Sequence, residues 1–266
     1  MVLRDKLNRF LADLYKHENF EDYCENGLQV EGKEAIEKII LGVSFNRTFL
    51  DHSIRERADA VIVHHGIFQQ GVFKLKGTLK QRVKMLLDSD ISLFGIHLPM
   101  DCHPELGHNA LLLSTIGAGS IEPFEIGFYG ENVREYTLHR ILEIFHEQLH
   151  PEGFMNSGKE NDNSVFSFFM KHGFRVLENG PKIPRRITVI SGESSGYYEK
   201  AIEKGVDTFV GGEIKERIPA LSYESRTNYI NLGHYFSEKP GVLALKKRIE
   251  ENFDVQTRYI EVPNPV

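Results

Sequence analysis

A degenerate internal repeat constrains this chain more than any other feature, because two copies of one strand-helix-strand pattern call for two similar α/β units. Lys38-Ile39-Ile40-Leu41 opens the first copy, and Asp59-Ala60-Val61-Ile62-Val63 runs into His64-His65. Arg186-Ile187-Thr188-Val189 opens the second, and Asp207-Thr208-Phe209-Val210-Gly211 runs into Gly212-Glu213. One constant offset, without a gap, aligns Asp59 on Asp207 and His64-His65 on Gly212-Glu213. Each copy then closes on a strand followed by His-x-x-x-acid: His97 with Asp101 in the first, His234 with Glu238 in the second. The pattern predicts an α/β fold of two similar domains, 1–125 and 126–266, with a metal site between them and ligands drawn from both.

Bulk properties narrow the function classes. At 266 residues the chain can bury two modest cores, and 41% hydrophobic with 26% charged residues is the balance of a soluble globular protein. A net charge of -6 gives no general attraction to nucleic acid or to an anionic membrane. Met1 to Tyr15 mixes Arg4, Asp5, Lys6, Arg9 and Asp13 among apolar residues, so it reads as an amphipathic helix, neither signal peptide nor membrane span. A cytoplasmic location is the expectation. Cys24 and Cys102 form no Cys-x-x-Cys pair, which argues against a disulfide framework or a thiolate zinc knuckle.

Asn26 to Gly32 reads as a turn feeding a short strand, and Ile36 to Val43 as a buried strand. Phe49 to Ala58 has helical spacing, and Val61-Ile62-Val63 is β-branched and suits a central strand. Thr78 is the expected cap of a helix through Leu87, with a strand over Ile91 to Ile96. Val133 to Leu149 is an amphipathic helix stopped by Pro151, and Asn156 to Ser164 a polar loop. Ser191 to Gly196 is either a plain tight turn or a backbone cradle for an anion. Gly241 to Phe253 and Arg258 to Val262 are the closing helix and strand. In a parallel α/β sheet ligands collect at the carboxyl ends of strands, where His64, His65 and His97 lie.

Neighbouring residues of a regular strand point to opposite faces, so His64 and His65 are expected to reach different ions and seed a two-metal site. Pro99 disfavours a helical residue before it, so His97 to Asp101 is expected as a loop. Glu238, the longer acid, could bridge two ions. Imidazole with carboxylate suits Zn, Mn, Fe, Co or Ni. Glu213 stands where the first copy has His65, and three roles fit it: orienting a ligand, general base, or an ordinary acid at a helix N-terminus. His103 and His108 flank the Asp101 segment and read first as solvated loop residues.

Together these motifs carry a resemblance. Asn26-Gly27-Leu28-Gln29-Val30, His64-His65-Gly66-Ile67-Phe68, His97 through Gly107, Gly212-Glu213 and Gly233 through Glu238 resemble the Nif-three-like dinuclear-metal family, also called the GTP cyclohydrolase 1 type 2 family. The resemblance implies two divalent ions per chain held by His64, His65, Asp101, His234 and Glu238, with His97 lining the same pocket. It also implies a ring-shaped homohexamer. The activity it implies is a hydrolase using metal-bound hydroxide on a small-molecule nucleotide such as GTP, with His97 or Glu213 moving protons. The alternative is a non-catalytic, metal-binding regulatory ring that engages a protein partner. His108 stands where the family pattern has Asn, and residues 156–174 match no motif of the family.

Overall fold

The computed structural model describes residues 1–69, 74–149, 158–159, 169–171 and 174–264, which divide into two compact units. The expected loop at 156–164 and the Pro151 helix stop lie largely or wholly outside the described residues.

The first unit comprises 1–106 with 241–263. Its five-stranded sheet runs in the order Gln256–Tyr259, Lys38–Ser44, Ala60–His65, Ser92–Gly95, Gly27–Val30, with the first four parallel and the last antiparallel. Ala60–His65 is central, as its β-branched run predicts. Ile40, Val61, Val63 and Leu93 from the strands pack with Phe49 and Leu50 of the helix Arg47–Arg55 and Leu86 of the helix Gly77–Asp88. Asn46 caps the first of these helices, its side chain accepting from the Phe49 amide. Thr78 caps nothing: the second begins at Gly77 with Lys76 at the cap and no side-chain cap hydrogen bond, which leaves Thr78 inside its first turn.

The second unit, 107–240, carries an eight-stranded sheet. Its centre is Arg186–Ile190, Thr208–Gly211 and Asn228–Asn231, all parallel, flanked by Gly127–Glu131 on one side and Phe174–Glu178 on the other, both antiparallel. Val189, Val210 and Ile230 join one apolar cluster with Leu142 and Phe145 of the helix Leu138–Leu149. Their neighbours Ile190, Phe209 and Tyr229 join another with Tyr198. Alternation along each strand thus covers both faces of the sheet. The helix starts later than Val133, because the Asn132 side chain bonds to the Tyr136 and Pro184 carbonyls and holds that stretch as a turn.

The domain boundary differs from that expected. It falls after Leu106, and the C-terminal strand returns to the first unit because its partner is the outer edge of Lys38–Ser44.

The two sheets share a plan. Ile39 pairs with Ala60 as Ile187 pairs with Thr208, and Arg47–Arg55 is matched in position by the helical stretch Ser195–Glu203. Asp59 Oδ2 accepts the Glu37 and Lys38 amides at 2.9 and 3.0 Å, and Asp207 Oδ2 accepts the Arg185 amide at 2.9 Å. Both aspartates therefore fasten the loop that enters the first strand. The closing motifs are less regular. Val63 faces Gly95 and Gly211 faces Asn231, which sets His97 against Gly233 and slides the two His-x-x-x-acid motifs by one residue. Among the described residues no helix is long and apolar enough to cross a membrane.

Candidate metal centre

In the first unit, pairing between Ala60–His65 and Ser92–Gly95 ends at Val63 with Gly95, so His64 and His65 project beyond the ladder on that side. Freed of it, the two rings do not splay as strand alternation predicts. Their centroids lie 4.5 Å apart, each packs against His97, and the donor atoms of all three gather within 4.8 Å. His64 Nδ1 lies 2.9 Å from the Ile96 carbonyl, which can only accept, so Nδ1 carries the proton. In the neutral ring Nε2 is then the lone-pair nitrogen, and it faces Asp101 Oδ2 at 3.6 Å. Both side chains are buried.

Asp101 reaches this position on a helical turn, Leu98–Asp101, where a loop is expected from sequence. Pro99 sits in the first turn, whose amides have no intrahelical partner, so its missing N–H costs nothing there. His97 keeps non-helical dihedrals at the N-cap, and its amide donates to Asn26 Oδ1 at 2.7 Å.

The second unit builds a related group at the equivalent sheet end. His234 opens the turn His234–Ser237, and Glu238 follows it. Glu213 Oε1 lies 2.6 Å from His234 Nδ1, and Glu238 Oε1 lies 3.2 Å from His234 Nε2. Burial opposes charge on this imidazole, but the Glu238 and Glu213 carboxylates outweigh it and raise its pKa to about 9. The surroundings therefore favour a positive charge beside Nε2, which is what a bound cation supplies. Glu213 lies in the loop before the helix Ile218–Ser225, not at its N-terminus, and its contact makes it an orienter of His234. Gly192, at φ +60°, leaves this place bare: a Cβ there would sit 2.3 Å from Glu238 Oε1. The Ser191–Gly196 turn thus has a use that its composition does not disclose, close backbone approach to an acid.

Sequence reasoning missed the supports. Gln29 Oε1 accepts the Ile67 amide at 2.8 Å and its Nε2 donates to the Glu25 carbonyl, bracing the backbone that follows His65. Asp22 binds His97 Nδ1 at 2.9 Å. The run Asp22-x-Cys24-x-Asn26 before a glycine carries a local turn signal, and Asp22 Oδ1 indeed accepts the Cys24 amide. Its distant partner has no sequence signal. His103 and His108 depart from the solvated reading: His103 Nδ1 accepts the Glu105 and Leu106 amides, and His108 is buried in the first turn of the helix His108–Thr115.

Imidazole nitrogens and carboxylate oxygens, with histidine tautomers set by neighbouring oxygens, fit divalent Zn, Mn, Fe, Co or Ni. Comparison with known proteins shows the family. The chain is 33% identical over 264 residues to a GTP cyclohydrolase 1 type 2 homolog of Escherichia coli K12, covering 98% of each chain. It is 31% identical over 261 residues to a protein of the same name in Haemophilus influenzae, again covering 98% of each. The solved structure of the protein ybgI, of unknown function, matches with a TM-score of 0.85 at 31% identity over 100% of both chains. The sequence profile of Duf34/NIF3 (NGG1p interacting factor 3) matches residues 2–265, and the chain belongs to this family.

Proposed function

We propose that this protein is a hydrolase dependent on two divalent ions, acting on a nucleotide in the manner implied by the name GTP cyclohydrolase 1 type 2. The observation that carries the reading is that each unit presents a histidine with Nδ1 tied to an oxygen and Nε2 turned to a carboxylate, His64 with Asp101 and His234 with Glu238. Tethered imidazoles of this kind are the usual form of a metal ligand. His64, His65, Asp101, His234 and Glu238 are the proposed ligands, an assignment supported by the sequence pattern and by family membership. When bound, such ions lower the pKa of a coordinated water and polarise the attacked atom. Glu213 keeps His234 in the ligating tautomer. His97, at the edge of the His64 and His65 rings, accepts or returns a proton at Nε2. The assembly proposed with this reading is a homohexamer, to be checked by light scattering.

The test is a nucleotide panel including GTP, incubated with metal-reconstituted protein, with formate and phosphate release followed separately. Glu238→Gln and chelation should each abolish product, and added Mn or Zn should restore the chelated parent. No product from any nucleotide with any of the metals would favour a non-catalytic, metal-binding regulatory ring. Activity that survives both treatments would place the hydrolysis elsewhere.

A further inference from the structure

His97 is the residue of the first unit whose role its position leaves most open, and its two nitrogens settle the question. Nδ1 lies 2.9 Å from Asp22 Oδ1, and both side chains are more than nine-tenths buried. Asp22 is the more constrained partner. Its Oδ1 accepts the Cys24 amide at 3.0 Å as well as His97 Nδ1, while Oδ2 accepts Asn26 Nδ2 at 2.9 Å and the Leu98 amide at 3.0 Å. Two donors on each oxygen fill the in-plane lone pairs of a carboxylate. Burial raises the Asp22 pKa, but hydrogen bonds from His97, Asn26 and the Cys24 amide pull it down further, to about 2, so the group is ionised and can only accept.

Two consequences follow. Asp22, Cys24 and His97 bring donor atoms within 4.8 Å of one another, the spacing of an ion site, yet the carboxylate has no electron pair left for a metal. That trio is therefore a hydrogen-bonded support. His97 must also carry a proton on Nδ1, and in the neutral ring Nε2 is then the acceptor. The Tyr23 hydroxyl, on a half-exposed side chain, stands 3.3 Å from this Nε2, with the rings edge to face at 4.8 Å. A phenol donates to a bare imidazole nitrogen, so an ion approaching Nε2 would have to displace Tyr23.

We propose that Asp22 is a positioning residue that fixes His97 as the Nδ1–H tautomer, so that His97 Nε2 accepts a hydrogen bond from Tyr23, or from a substrate N–H or O–H that takes the place of Tyr23, and does not ligate metal. The substrate part rests on the hydrolase reading; the tautomer and the absence of ligation do not. A polar chain then runs from the protein surface at Tyr23 through His97 to a buried anion. Asp22 orients His97 as Glu213 orients His234, but the second nitrogen faces a hydroxyl in one case and a carboxylate in the other.

Long-range proton-nitrogen NMR of histidine-labelled protein tests this without any substrate. His97→Gln assigns the resonances. At about pH 8, where an ordinary histidine is neutral, the expected result is a pyrrole-type Nδ1 and a pyridine-type Nε2 at His97, unchanged when Zn is added while the His64 Nε2 resonance moves. An Nε2–H tautomer, a doubly protonated ring, or a His97 Nε2 that takes on a zinc-bound shift would each overturn the proposal. Asp22→Asn should lose the single tautomer while Zn stoichiometry stays at the parental value; retention of that tautomer would show that Asp22 does not set it. Tyr23→Phe, which alters an exposed group, should shift Nε2 alone, and an unmoved Nε2 would remove Tyr23 from the chain. If the protein hydrolyses a nucleotide, Asp22→Asn should lower kcat with KM retained, and an unchanged kcat would contradict the substrate role while leaving the NMR result standing.

Discussion

The proposed ligand histidines of the two units are held by unlike supports. His64 is tied to a neutral backbone carbonyl, Ile96, in a buried place, whereas His234 is tied to the carboxylate of Glu213 and faces a second carboxylate, Glu238. The Ile96 carbonyl orients His64, whereas the two carboxylates both orient His234 and make it more basic. The lesson is that two sheets whose first two strands pair in the same register can present histidines in different electrostatic settings. Without a metal, His234 is held as an imidazolium near neutrality, so an ion binding there must displace a proton.

The largest expected effect is on metal retention. Asp101→Ala and Glu238→Ala should each lower the bound metal per chain in elemental analysis, and a parental metal content in both would break the ligand assignment. Next is the charged support. Glu213→Gln should weaken metal binding by about 10- to 100-fold in a calorimetric titration, and should bring the His234 pKa down from about 9. The same pKa fixes a sign. Because the folded value is raised, the stabilisation of His234 by its carboxylates is full below the unfolded value of about 6.5 and is lost as pH rises through about 9. Metal affinity should rise over that window, with proton release measurable in buffers of different ionisation enthalpy. A flat affinity would refute the contrast.

Asp22 works in the opposite direction. Its folded pKa of about 2 lies below the unfolded value of 3.8, so its contribution is present above that value and disappears as pH falls through about 2. Asp22→Asn should cost about 2 kcal/mol near neutrality and little at pH 2, read from urea unfolding at each pH. The smallest effects concern caps. Asn46→Ala should cost about 1 kcal/mol, because the Asn46 side chain accepts the Phe49 amide, whereas Thr78→Ala should stay within about 0.5 kcal/mol.

What was legible in the sequence was periodic or local. β-Branched runs placed Val61 to Val63 in a central strand, and a gapless alignment anticipated the shared register of Ile39 with Ala60 and Ile187 with Thr208. His64 and His65 could be picked out because unusual polar residues ended an apolar strand, and Asp101 because it completes the His-x-x-x-acid spacing from His97. Four features were not legible because they depend on tertiary contact. Asp22 meets His97 across 75 positions. The one-residue slide between the closing motifs follows from where strand pairing stops. Pro99 suits the first helical turn as well as a loop, and nothing local decides between them. The rings of His64 and His65 come together because the ladder ends at Val63, which strand periodicity cannot show.

The central claim is that His64, His65, Asp101, His234 and Glu238 bind two divalent ions through supports of unequal charge. Elemental analysis of protein reconstituted with Zn or Mn and freed of excess metal tests it most directly, in parallel with the Glu213→Gln variant. The account predicts close to two ions per chain in the parent, and a Glu213→Gln variant that holds less metal than the parent at about pH 9 but whose metal binding falls less steeply as the pH is lowered towards 6.5. A parent that holds one ion or none, or a Glu213→Gln variant that keeps the parental count across that range, would contradict it.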